Sequence, residues 1–473
     1  MKKTTRTALA VIGAGPGGYA AAFMAASLGL ETTLIDVEPT AGGVCLLRGC
    51  IPSKTLLHAA KLIREAREAE SWGLTFGAPA IDLDKLRAST QNVTGQMTAG
   101  LAQLIKAWNI RQIQGRAVFA DSNTLVISKE DGAEERLRFD HAIIAAGSRP
   151  AIFGKPTESP KLMNSTDALQ LEDVPEKLLV VGGGYIGLEL GSVYSALGSS
   201  VTVVEVTDGL LPGADRDLVK PLAARLETQF EGILLNTKVL DFKDQKNGLK
   251  VTLEGPGIDK PTRVFDKALV SVGRKPNSSG LGLKNTGVKV DDRGFIQVDP
   301  QGRTADPSIF AIGDIVGGAM LAHKASHEGR VAAEAIAGHP SVFDPVAIPA
   351  VVFTDPEIAW CGLTEIQAKQ QGRAVEVGRF PWAASGRATS LHRTEGLTKV
   401  ICDPEDQRIL GVGMVGAGAG ELIAEATLAI EMGANARDLE LTIHPHPTLS
   451  ETLMEAAASV YGTCTHLYRP KKG

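Results

Sequence analysis

Cysteine is scarce in this sequence, which has five among 473 residues. Cys361, Cys402 and Cys464 are scattered, and the remaining pair, Cys45 and Cys50, has four intervening residues and no second Cys or His cluster nearby. Structural zinc sites need four ligands in closer spacing, so the sequence argues against a metal site. The pair remains open to two interpretations, a structural disulfide or a reactive one.

Long apolar runs and an excess of one charge are also missing. No stretch reaches the roughly 18 uninterrupted apolar residues of a membrane span. The apolar N-terminus imitates a secretory signal, but glycines and a proline at positions 13 to 18 interrupt it. The formal net charge is -5 without a basic block, which disfavours nucleic-acid and membrane partners. We therefore expect a soluble cytoplasmic protein, in which a lasting structural disulfide is rare.

One motif occurs twice. "ALAVIGAGPGGYAAAFMAASLGLETTLID" and "KLLVVGGGYIGLELGSVYSALGSSVTVVE" each contain an apolar strand, a GxGxxG turn, a helix of small residues and a strand that ends in an acid. The acid follows the first glycine by 23 residues in both copies. The motif residues are Gly13, Gly15, Gly18 and Asp36 in the first copy, and Gly182, Gly184, Gly187 and Glu205 in the second.

Each residue type in the motif suits a bound dinucleotide. The first glycine makes the tight turn, the second lets the backbone approach a pyrophosphate, and the third lets the helix pack on the strand. The free N–H groups at the helix N-terminus favour the anion, and the acid accepts hydrogen bonds from a ribose. Because all four parts occur together twice, the sequence predicts two dinucleotide sites.

Two further segments resemble each other. "FDHAIIAAGSRP" and "FDKALVSVGRKP" are apolar strands that end in Gly147 and Gly273, and they are expected to close the two units. Linkers are expected near 150–160 and 275–283. From about residue 344 the glycine turns stop, and alternating strands with helices near 418–432 and 448–461 predict an α+β domain that forms an interface.

The stretch "AGGVCLLRGCIPSK" (41–54) poses a geometric problem for a disulfide. In a regular helix, residues five apart are separated by about 7.5 Å along the axis, beyond the usual Cα separation of a bridge. The helix must therefore begin irregularly, which Gly49 and Pro52 permit. A thiol at a helix N-terminus has a stabilised thiolate, so the spacing fits a reactive bridge.

The cysteine segment, the two GxGxxG copies, "AIGD", "MLAHKASHEG", "VVFTDPEIAWCGLTE" and "HPHPTLSE" follow one another in a fixed order. From about residue 8 to 465 the chain resembles the flavoprotein disulfide reductases, most closely the dihydrolipoamide dehydrogenases. The resemblance implies an α/β fold with two Rossmann-like dinucleotide-binding domains and a C-terminal α+β dimerisation domain. The implied boundaries are 1–150 for FAD, 151–274 for NAD, 275–345 for a central domain that completes the FAD site, and 346–473 for the interface.

The resemblance also implies the reaction. Protein-bound dihydrolipoamide would be reoxidised to lipoamide through a Cys45–Cys50 disulfide, and the electrons would pass through FAD to NAD. Cys50 would be the charge-transfer thiolate at the flavin, and Cys45 the interchange thiol nearer the substrate. Lys54 would approach the flavin and pair with Glu189, which would neighbour the nicotinamide. The flavin would further be held by Asp314 and by the backbone at Ala322 and His323.

The "HPHPTLSE" segment supplies the expected acid and base. Dithiol–disulfide exchange needs a group that removes and returns a thiol proton, and imidazole titrates in the right range. Glu451 follows His446 closely enough to orient its ring, and His444 is the fallback candidate. The resemblance implies that this segment reaches the partner's site across a two-fold axis, so the enzyme would work as a homodimer.

Glu205 predicts the choice of nicotinamide. A carboxylate at this position accepts the 2'-hydroxyl of NAD and repels the 2'-phosphate of NADP, which disfavours enzymes like glutathione reductase. The isolated Cys464 disfavours a mercuric reductase, which needs a second vicinal cysteine pair. The Cys45 and Cys50 pair disfavours a soluble transhydrogenase. The intact set Cys45, Cys50, His446 and Glu451 disfavours a non-catalytic subunit.

The chain departs from the family pattern around its cysteines, at Val44, Leu47 and Arg48. Arg48 could lower the pKa of the thiolates, meet an acidic carrier domain, or lie solvated on the outer helix face. The departure leaves several substrates open. They are the lipoyl domain of a 2-oxoacid dehydrogenase complex, a specialised lipoyl carrier, and another disulfide.

Overall fold

The structure, a computed structural model, describes residues 4–151 and 159–468. Most of the first expected linker, 150–160, lies outside these residues. Within them, the strands form five sheets of seven, five, three, two and five strands. None of the described helices combines the length and the apolar composition that crossing a membrane requires.

The first unit has the expected strand, turn and helix at its start. Its elements are β1 (Thr4–Ile12), α1 (Pro16–Ser27), β2 (Thr32–Asp36), α2 (Gly43–Arg48), α3 (Cys50–Glu68), α4 (Leu83–Ala107), β3 (Arg111–Gln114), β4 (Arg116–Asp121), β5 (Thr124–Ser128), β6 (Glu134–Ile144) and β7 (Ser148–Pro150). The sheet runs in the order β3-β2-β1-β6-β5-β4. β1 pairs in parallel with β2 and β6, so its carboxyl end meets the glycine turn at the centre of the sheet.

The second unit repeats this arrangement. Its elements are β8 (Leu162–Met163), α5 (Ser165–Gln170), β9 (Lys177–Val181), α6 (Tyr185–Leu197), β10 (Ser200–Val204), α7 (Arg216–Gln229), β11 (Gly232–Leu234), β12 (Lys238–Gln245), β13 (Gly248–Glu254), β14 (Thr262–Phe265), β15 (Lys267–Val270) and β16 (Arg274–Pro276). The parallel sheet has the order β11-β10-β9-β15-β8, and β12 to β14 form an antiparallel sheet beside it. β16 pairs with β7 and ties the two units together.

The next segment returns to the first unit. Its elements are β17 (Ile309–Ala311) and α8 (Ala322–Ile336). β17 pairs in parallel with β6 and becomes the seventh strand of the first sheet. Helix α8 packs on α1 so closely that a Cβ on Gly329 would lie 2.5 Å from the carbonyl oxygen of Gly17. β17 ends at Ala311, and a 3-10 turn follows at Gly313–Val316.

The last unit is an antiparallel sheet covered by helices. Its elements are β18 (Ala350–Val352), β19 (Glu357–Gly362), α9 (Glu365–Gln370), β20 (Glu376–Pro381), α10 (Gly386–Ser390), β21 (Leu397–Cys402), β22 (Ile409–Gly416), α11 (Ala419–Glu431), α12 (Ala436–Leu441) and α13 (Glu451–Tyr461). The two predicted helices are α11 and α13, and α12 was not predicted. The sheet has the order β18-β19-β22-β21-β20. Together with the two preceding units, this α+β unit confirms the predicted fold class.

Helix α3 lies at the junction of these units. Leu56 and Ala60 on α3 belong to the same buried cluster as Leu188 on α6 and Val415 on β22. Burial of each leucine or valine side chain stabilises the fold by about 1.5 to 3 kcal/mol relative to exposure. The cysteine segment at the start of α3 is therefore held on a rigid support.

Candidate active site

A cavity of about 310 Å³ lies between the first unit, the start of α6 and the segment before α8. It brings together most of the residues that the sequence singled out for the flavin and the thiols. Those that line it are Gly13, Gly15, Asp36, Cys45, Cys50, Lys54, Gly147, Glu189, Asp314 and Ala322. Those that do not line it are Gly18, the four residues of the second motif, Gly273, His446 and Glu451.

The first glycine turn leaves no room for side chains inside the protein. A Cβ on Gly13 would lie 2.3 Å from the carbonyl oxygen of Ala145, and one on Gly18 would lie 1.8 Å from the carbonyl oxygen of Gly13. Gly15 caps α1 without a side-chain hydrogen bond, so the N–H groups of the first helical turn are free to meet an anion.

The acid of each motif is held by backbone N–H groups. Asp36 accepts hydrogen bonds from the N–H groups of Ala14 at 2.5 Å and Glu38 at 2.9 Å. Glu205, which is 5% exposed, accepts from Gly183 N at 2.7 Å and from both the N–H and the hydroxyl of Thr207 at 2.8 Å. Both carboxylates are therefore fixed at the ends of their strands before any ribose arrives.

Gly49 brings the two cysteines together. Helix α2 ends at Arg48 and α3 begins at Cys50, which confirms the irregular start. A Cβ on Gly49 would lie 2.7 Å from the carbonyl oxygen of Val44, so only glycine allows this approach. Cys45 and Cys50 are free thiols that hydrogen-bond to each other, which is the reduced form of the expected pair.

The two thiols differ in acidity. The hydrogen bond from Cys45 lowers the pKa of Cys50 to about 7 against the opposing effect of burial, and the nearby Lys54 cation lowers it further. The same hydrogen bond, together with burial, raises the pKa of Cys45. Of the two thiols, Cys50 therefore loses its proton at the lower pH. Arg48 instead forms an ion pair with Glu38 at 2.6 Å, so the structure gives no support to Arg48 as the cation at the thiolates.

Lys54 and Glu189 form the expected ion pair, with Lys54 Nζ 2.8 Å from Glu189 Oε2. Glu189 is 3% exposed, and its other oxygen accepts a hydrogen bond from Phe353 N at 2.9 Å. Lys54 Nζ also lies 4.4 Å from the centroid of the Phe353 ring. The pair joins the first, second and last units beside Cys50. Phe353 belongs to the "VVFTDPEIAWCGLTE" motif, but the sequence did not indicate this contact.

Asp314 also lines the cavity. It accepts a hydrogen bond from the Ser148 hydroxyl, and Arg274 donates to the same hydroxyl at 2.7 Å. Arg274 Nε is 3.9 Å from the Asp314 carboxylate. Ser148 and Arg274 were not predicted as site residues. Each directly follows the glycine, Gly147 or Gly273, at which the strand of one of the two similar segments was expected to end. Ala322 begins α8 beside this group, and the neighbouring His323 hydrogen-bonds to the carbonyl oxygen of Pro349 at 2.8 Å.

His446 is paired with Glu451 at 2.9 Å, between Nδ1 and Oε1. Burial would raise the pKa of Glu451, but the N–H of Thr448 and the adjacent His446 lower it overall. The His446 side chain is 73% exposed, and its Nε2 has no hydrogen-bond partner among residues 4–151 and 159–468. It does not line the cavity of its own chain. A pair of this type can exchange protons with a group brought to it from outside.

His444, the fallback candidate, is in a different state. Its Nδ1 bonds to the carbonyl oxygen of Thr442 and its Nε2 to Glu425, both at 2.8 Å. Only 4% of its side chain is exposed. Both ring nitrogens are therefore occupied, and His444 supports the segment structurally.

The chain is similar to known proteins along its whole length. The family model described as pyridine nucleotide-disulphide oxidoreductase matches residues 7–329, and the model for the dimerisation domain matches residues 348–457. Dihydrolipoyl dehydrogenase of Haemophilus influenzae is 50% identical over 472 residues, which is 100% of this chain and 98% of that protein. The enzyme of the same name from Geobacillus stearothermophilus is 45% identical over 457 residues, 97% of each chain.

Solved structures show the same similarity. LpdA from Mycobacterium tuberculosis matches with a TM-score of 0.88 at 28% identity, covering 96% of this chain and 99% of that chain. The HOCl-induced flavoprotein disulfide reductase RclA from Escherichia coli matches with a TM-score of 0.84 at 27% identity, covering 95% of this chain and 99% of that chain.

Proposed function

This chain belongs to the pyridine nucleotide-disulphide oxidoreductase family, and we propose that its reaction is that of a dihydrolipoyl dehydrogenase. It is an oxidoreductase that uses FAD and NAD, and its substrate is dihydrolipoamide carried on a protein. The observation that carries this proposal is the Cys45–Cys50 dithiol, with an acidic Cys50 beside Lys54, in a cavity that a dinucleotide turn also lines.

The residues of the cavity fit FAD. Gly13 leaves no room for a side chain, the N-terminus of α1 offers free N–H groups to a pyrophosphate, and Asp36 presents a fixed acceptor to a ribose. Segments 1–150 and 275–345 together would form this site, since β17 completes the first sheet. When bound, FAD and NAD would supply the hydride transfer that side chains cannot perform.

The thiol chemistry falls to the chain's own cysteines. A substrate thiolate attacks Cys45 Sγ of the oxidised pair, the Cys45–Cys50 bond breaks, and Cys50 leaves as a thiolate. The second substrate thiol, after losing its proton, attacks the substrate sulfur bound to Cys45, which closes the lipoamide ring and releases Cys45. The substrate loses two electrons and the cysteine pair gains them. A pKa of about 7 makes Cys50 a good leaving group.

His446 would take the thiol proton, with Glu451 holding its Nδ1 so that Nε2 faces the substrate. Because His446 lies outside the cavity of its own chain, we assign it to the cavity of a second copy. The chain carries the dimerisation domain of its family, at residues 348–457, which supports a homodimer. We further propose a cytoplasmic location, where a reducing environment suits a working dithiol.

Glu205 supports NAD as the acceptor. Its carboxylate is fixed at the end of β10 by Gly183 and Thr207, where a 2'-phosphate would meet a buried negative charge.

The partner that delivers the substrate is a lipoyl-bearing carrier protein.

The proposal is tested by mixing the purified holoenzyme with dihydrolipoamide and NAD, and following NADH by its absorbance. Wild type is expected to produce NADH with NAD and far less with NADP. Cys45→Ser and Cys50→Ser should each lose at least about a thousandfold in rate, and His446→Gln about a hundredfold or more. Flavin reduction by NADH alone should persist in His446→Gln. If dihydrolipoamide gives no NADH with wild type while NADH still reduces the flavin, the substrate assignment is wrong.

A further inference from the structure

The motif "VVFTDPEIAWCGLTE" brings a residue of the last unit to the ion pair beside Cys50, and the mechanism above makes no use of it. Phe353 directly follows β18 and contacts both Lys54 and Glu189. Lys54 and Glu189 line the cavity, whereas Phe353 does not. An effect of Phe353 on the thiols therefore passes through this pair.

Phe353 holds the two members of the pair through different groups. Its backbone N–H donates to Glu189 Oε1 at 2.9 Å, while Lys54 Nζ bonds to Glu189 Oε2 at 2.8 Å. Lys54 Nζ also lies over the Phe353 ring, 4.4 Å from its centroid, well within the about 6 Å of a cation–π contact. Because the Lys54 side chain is 31% exposed, the ring and the carboxylate together restrict an ammonium that water would otherwise attract.

The backbone that carries Phe353 is itself anchored. Two residues later, Asp355 pairs with Arg393 of the same unit and with Arg225 on α7, the latter at 3.3 Å. The start of α11 lies beside the ring, since a Cβ on Gly420 would be 3.7 Å from Phe353 Cε1. The position of the ring is thus set by the packing of the last unit on the second.

Lys54 and Glu189 act on Cys50 in opposite directions. Lys54 follows Cys50 by four residues on α3, so their side chains are neighbours on one face of the helix. The hydrogen bond from Cys45 lowers the pKa of Cys50 and burial raises it, while the Lys54 cation lowers it and the Glu189 anion raises it. The net effect of the pair depends on where the ammonium stands relative to the sulfur. A ring that fixes the ammonium determines this balance.

The other ionisable side chains around the cysteine segment come from several elements. They are Arg48 paired with Glu38, Arg87 paired with Asp84, Arg274 near Asp314, and the phenols of Tyr19 and Tyr185. The three arginines each have a carboxylate beside them, and phenols are uncharged at neutral pH because the ordinary pKa of tyrosine is about 10. Lys54 is the cation that lowers the pKa of Cys50.

We propose that Phe353 is a positioning residue for the thiol chemistry: its N–H and its ring hold Glu189 and Lys54 in the arrangement that stabilises the Cys50 thiolate. The last unit, which carries the dimerisation domain of the family, thereby takes part in activating the thiol of its own chain. This inference rests on the proposed role of Cys50 as the leaving thiolate. Without the ring, the ammonium turns toward water more often while the buried carboxylate stays in place, so Cys50 becomes less acidic.

The test variant is Phe353→Leu, which keeps an apolar side chain and the backbone N–H but removes the aromatic face. In the reduced holoenzyme, alkylation of Cys50 is followed by mass spectrometry of the tryptic peptide that begins at Gly49, because cleavage after Arg48 separates Cys50 from Cys45. The pH midpoint should rise by roughly half a unit, as expected when a nearby cation is held less firmly. Phe353→Tyr restores the ring and should have the wild-type midpoint.

Phe295→Leu is the matched control. It removes a ring that also lies under a cation, with Arg293 Cζ 5.1 Å from the centroid, and Phe295 does not line the cavity. The Cys50 midpoint should be unchanged in this variant. Should Phe353→Leu fail to fold, judged by Tm and flavin content, Phe353→Met takes its place, since it also fills the space without an aromatic face.

A double variant separates positioning from a general loosening of the site. In Lys54→Met the ammonium is gone, so adding Phe353→Leu should cause no further rise of the Cys50 midpoint. A midpoint that is the same in Phe353→Leu and wild type would overturn the inference. So would an equal rise with and without Lys54, or a Phe353→Tyr variant that behaves like Phe353→Leu.

The outcome is independent of the substrate assignment, because alkylation needs no dihydrolipoamide. Absence of NADH formation from dihydrolipoamide in wild type would contradict the proposed function, and the Cys50 midpoints would still decide on Phe353. Conversely, unchanged midpoints together with normal NADH formation would leave the function in place and remove only the positioning role.

Discussion

The two dinucleotide turns have the same sequence pattern but different surroundings. In both, the first and third glycines are pressed against backbone, with Cβ positions 1.8 to 2.5 Å from a carbonyl oxygen. The second glycines differ, because Gly15 lines the cavity of about 310 Å³ beside Gly43, whereas Gly184 does not line that cavity and a Cβ on it would meet nothing within 4 Å. The motif therefore specifies the turn, and the rest of the chain decides whether the site is enclosed. An enclosed turn suits a retained cofactor, and an open one suits a nucleotide that comes and goes.

The largest effect is expected at the third glycine of the motif, which has the least space for a Cβ in each turn. In Gly18→Ala the new Cβ would lie 1.8 Å from the carbonyl oxygen of Gly13, and backbone cannot move aside cheaply. We expect a loss of stability of about 3 kcal/mol or more and purification without flavin, measured by Tm and by flavin absorbance per protein.

Gly100→Ala is the matched control. Gly100 lies within α4, and a Cβ there meets nothing within 4 Å, so alanine should raise the helix stability by up to about 1 kcal/mol. If Gly18→Ala keeps both the wild-type Tm and its flavin, α1 does not pack on the first turn as closely as we describe.

Gly184→Ala tests the open turn. The protein itself has space for this Cβ, but the methyl group stands where the backbone would approach a pyrophosphate. We expect an unchanged Tm and flavin content, and NAD binding weaker by about tenfold or more, equivalent to about 1.4 kcal/mol. Binding is measured by titration with NADH.

Gly15→Ala makes the same change in the enclosed turn, and it should cost FAD retention while leaving NADH titration of any flavin-loaded fraction intact. Equal loss of NAD binding in both variants would contradict the assignment of one nucleotide to each turn.

The difference between the turns, which the motif specifies, and their surroundings, which the rest of the chain determines, also shows how much could be predicted from the sequence. Local patterns were enough for the two turns, for the acids Asp36 and Glu205, and for the irregular helix start at Gly49. Contacts between distant segments carry no such pattern. The role of Phe353 beside Lys54 and Glu189, and the hydrogen bond from Arg274 to Ser148, follow only from how the units pack.

The hydrogen bond from Cys464 to Glu455, at 2.8 Å, was missed for the same kind of reason. The sequence treated Cys464 as an isolated thiol, because its partner Glu455 lies nine residues earlier on a helix whose face could not be assigned. The short helix α12 was missed because six residues give too little periodicity. In both cases tertiary packing decides the outcome.

Lys54 connects the two dinucleotide-binding units through its ion pair with Glu189. The variant Lys54→Met should raise the pKa of Cys50. Lys54 lowers the pKa of Cys50 to about 7 together with Cys45, so its removal must raise that pKa. A rise of about one unit would reduce the thiolate fraction at pH 7 from about a half to about a tenth. The midpoint is measured from the pH dependence of alkylation of the reduced protein.

Lys61→Met provides the control for this change. Lys61 is on the same helix but pairs with the exposed Glu65 at 3.8 Å, so the Cys50 midpoint should stay at its wild-type value. A midpoint that is equally unchanged in Lys54→Met would show that the hydrogen bond from Cys45 alone sets the acidity of Cys50.

The smallest effect is expected at Arg48, the most unusual residue of the cysteine segment. Its guanidinium is 2.6 Å from Glu38, and both side chains are about a third exposed, at 32% and 29%. Such pairs contribute about 0 to 1 kcal/mol, and the charge of Arg48 is already matched by Glu38. Arg48→Leu should therefore leave the alkylation midpoint of Cys50 unchanged, in contrast to Lys54→Met. An upward shift of similar size would instead mean that Arg48 leaves Glu38 in the working enzyme and serves as a second cation for the thiolate. A third result, an unchanged midpoint with a higher KM for a lipoyl domain but not for free dihydrolipoamide, would place Arg48 at the carrier surface.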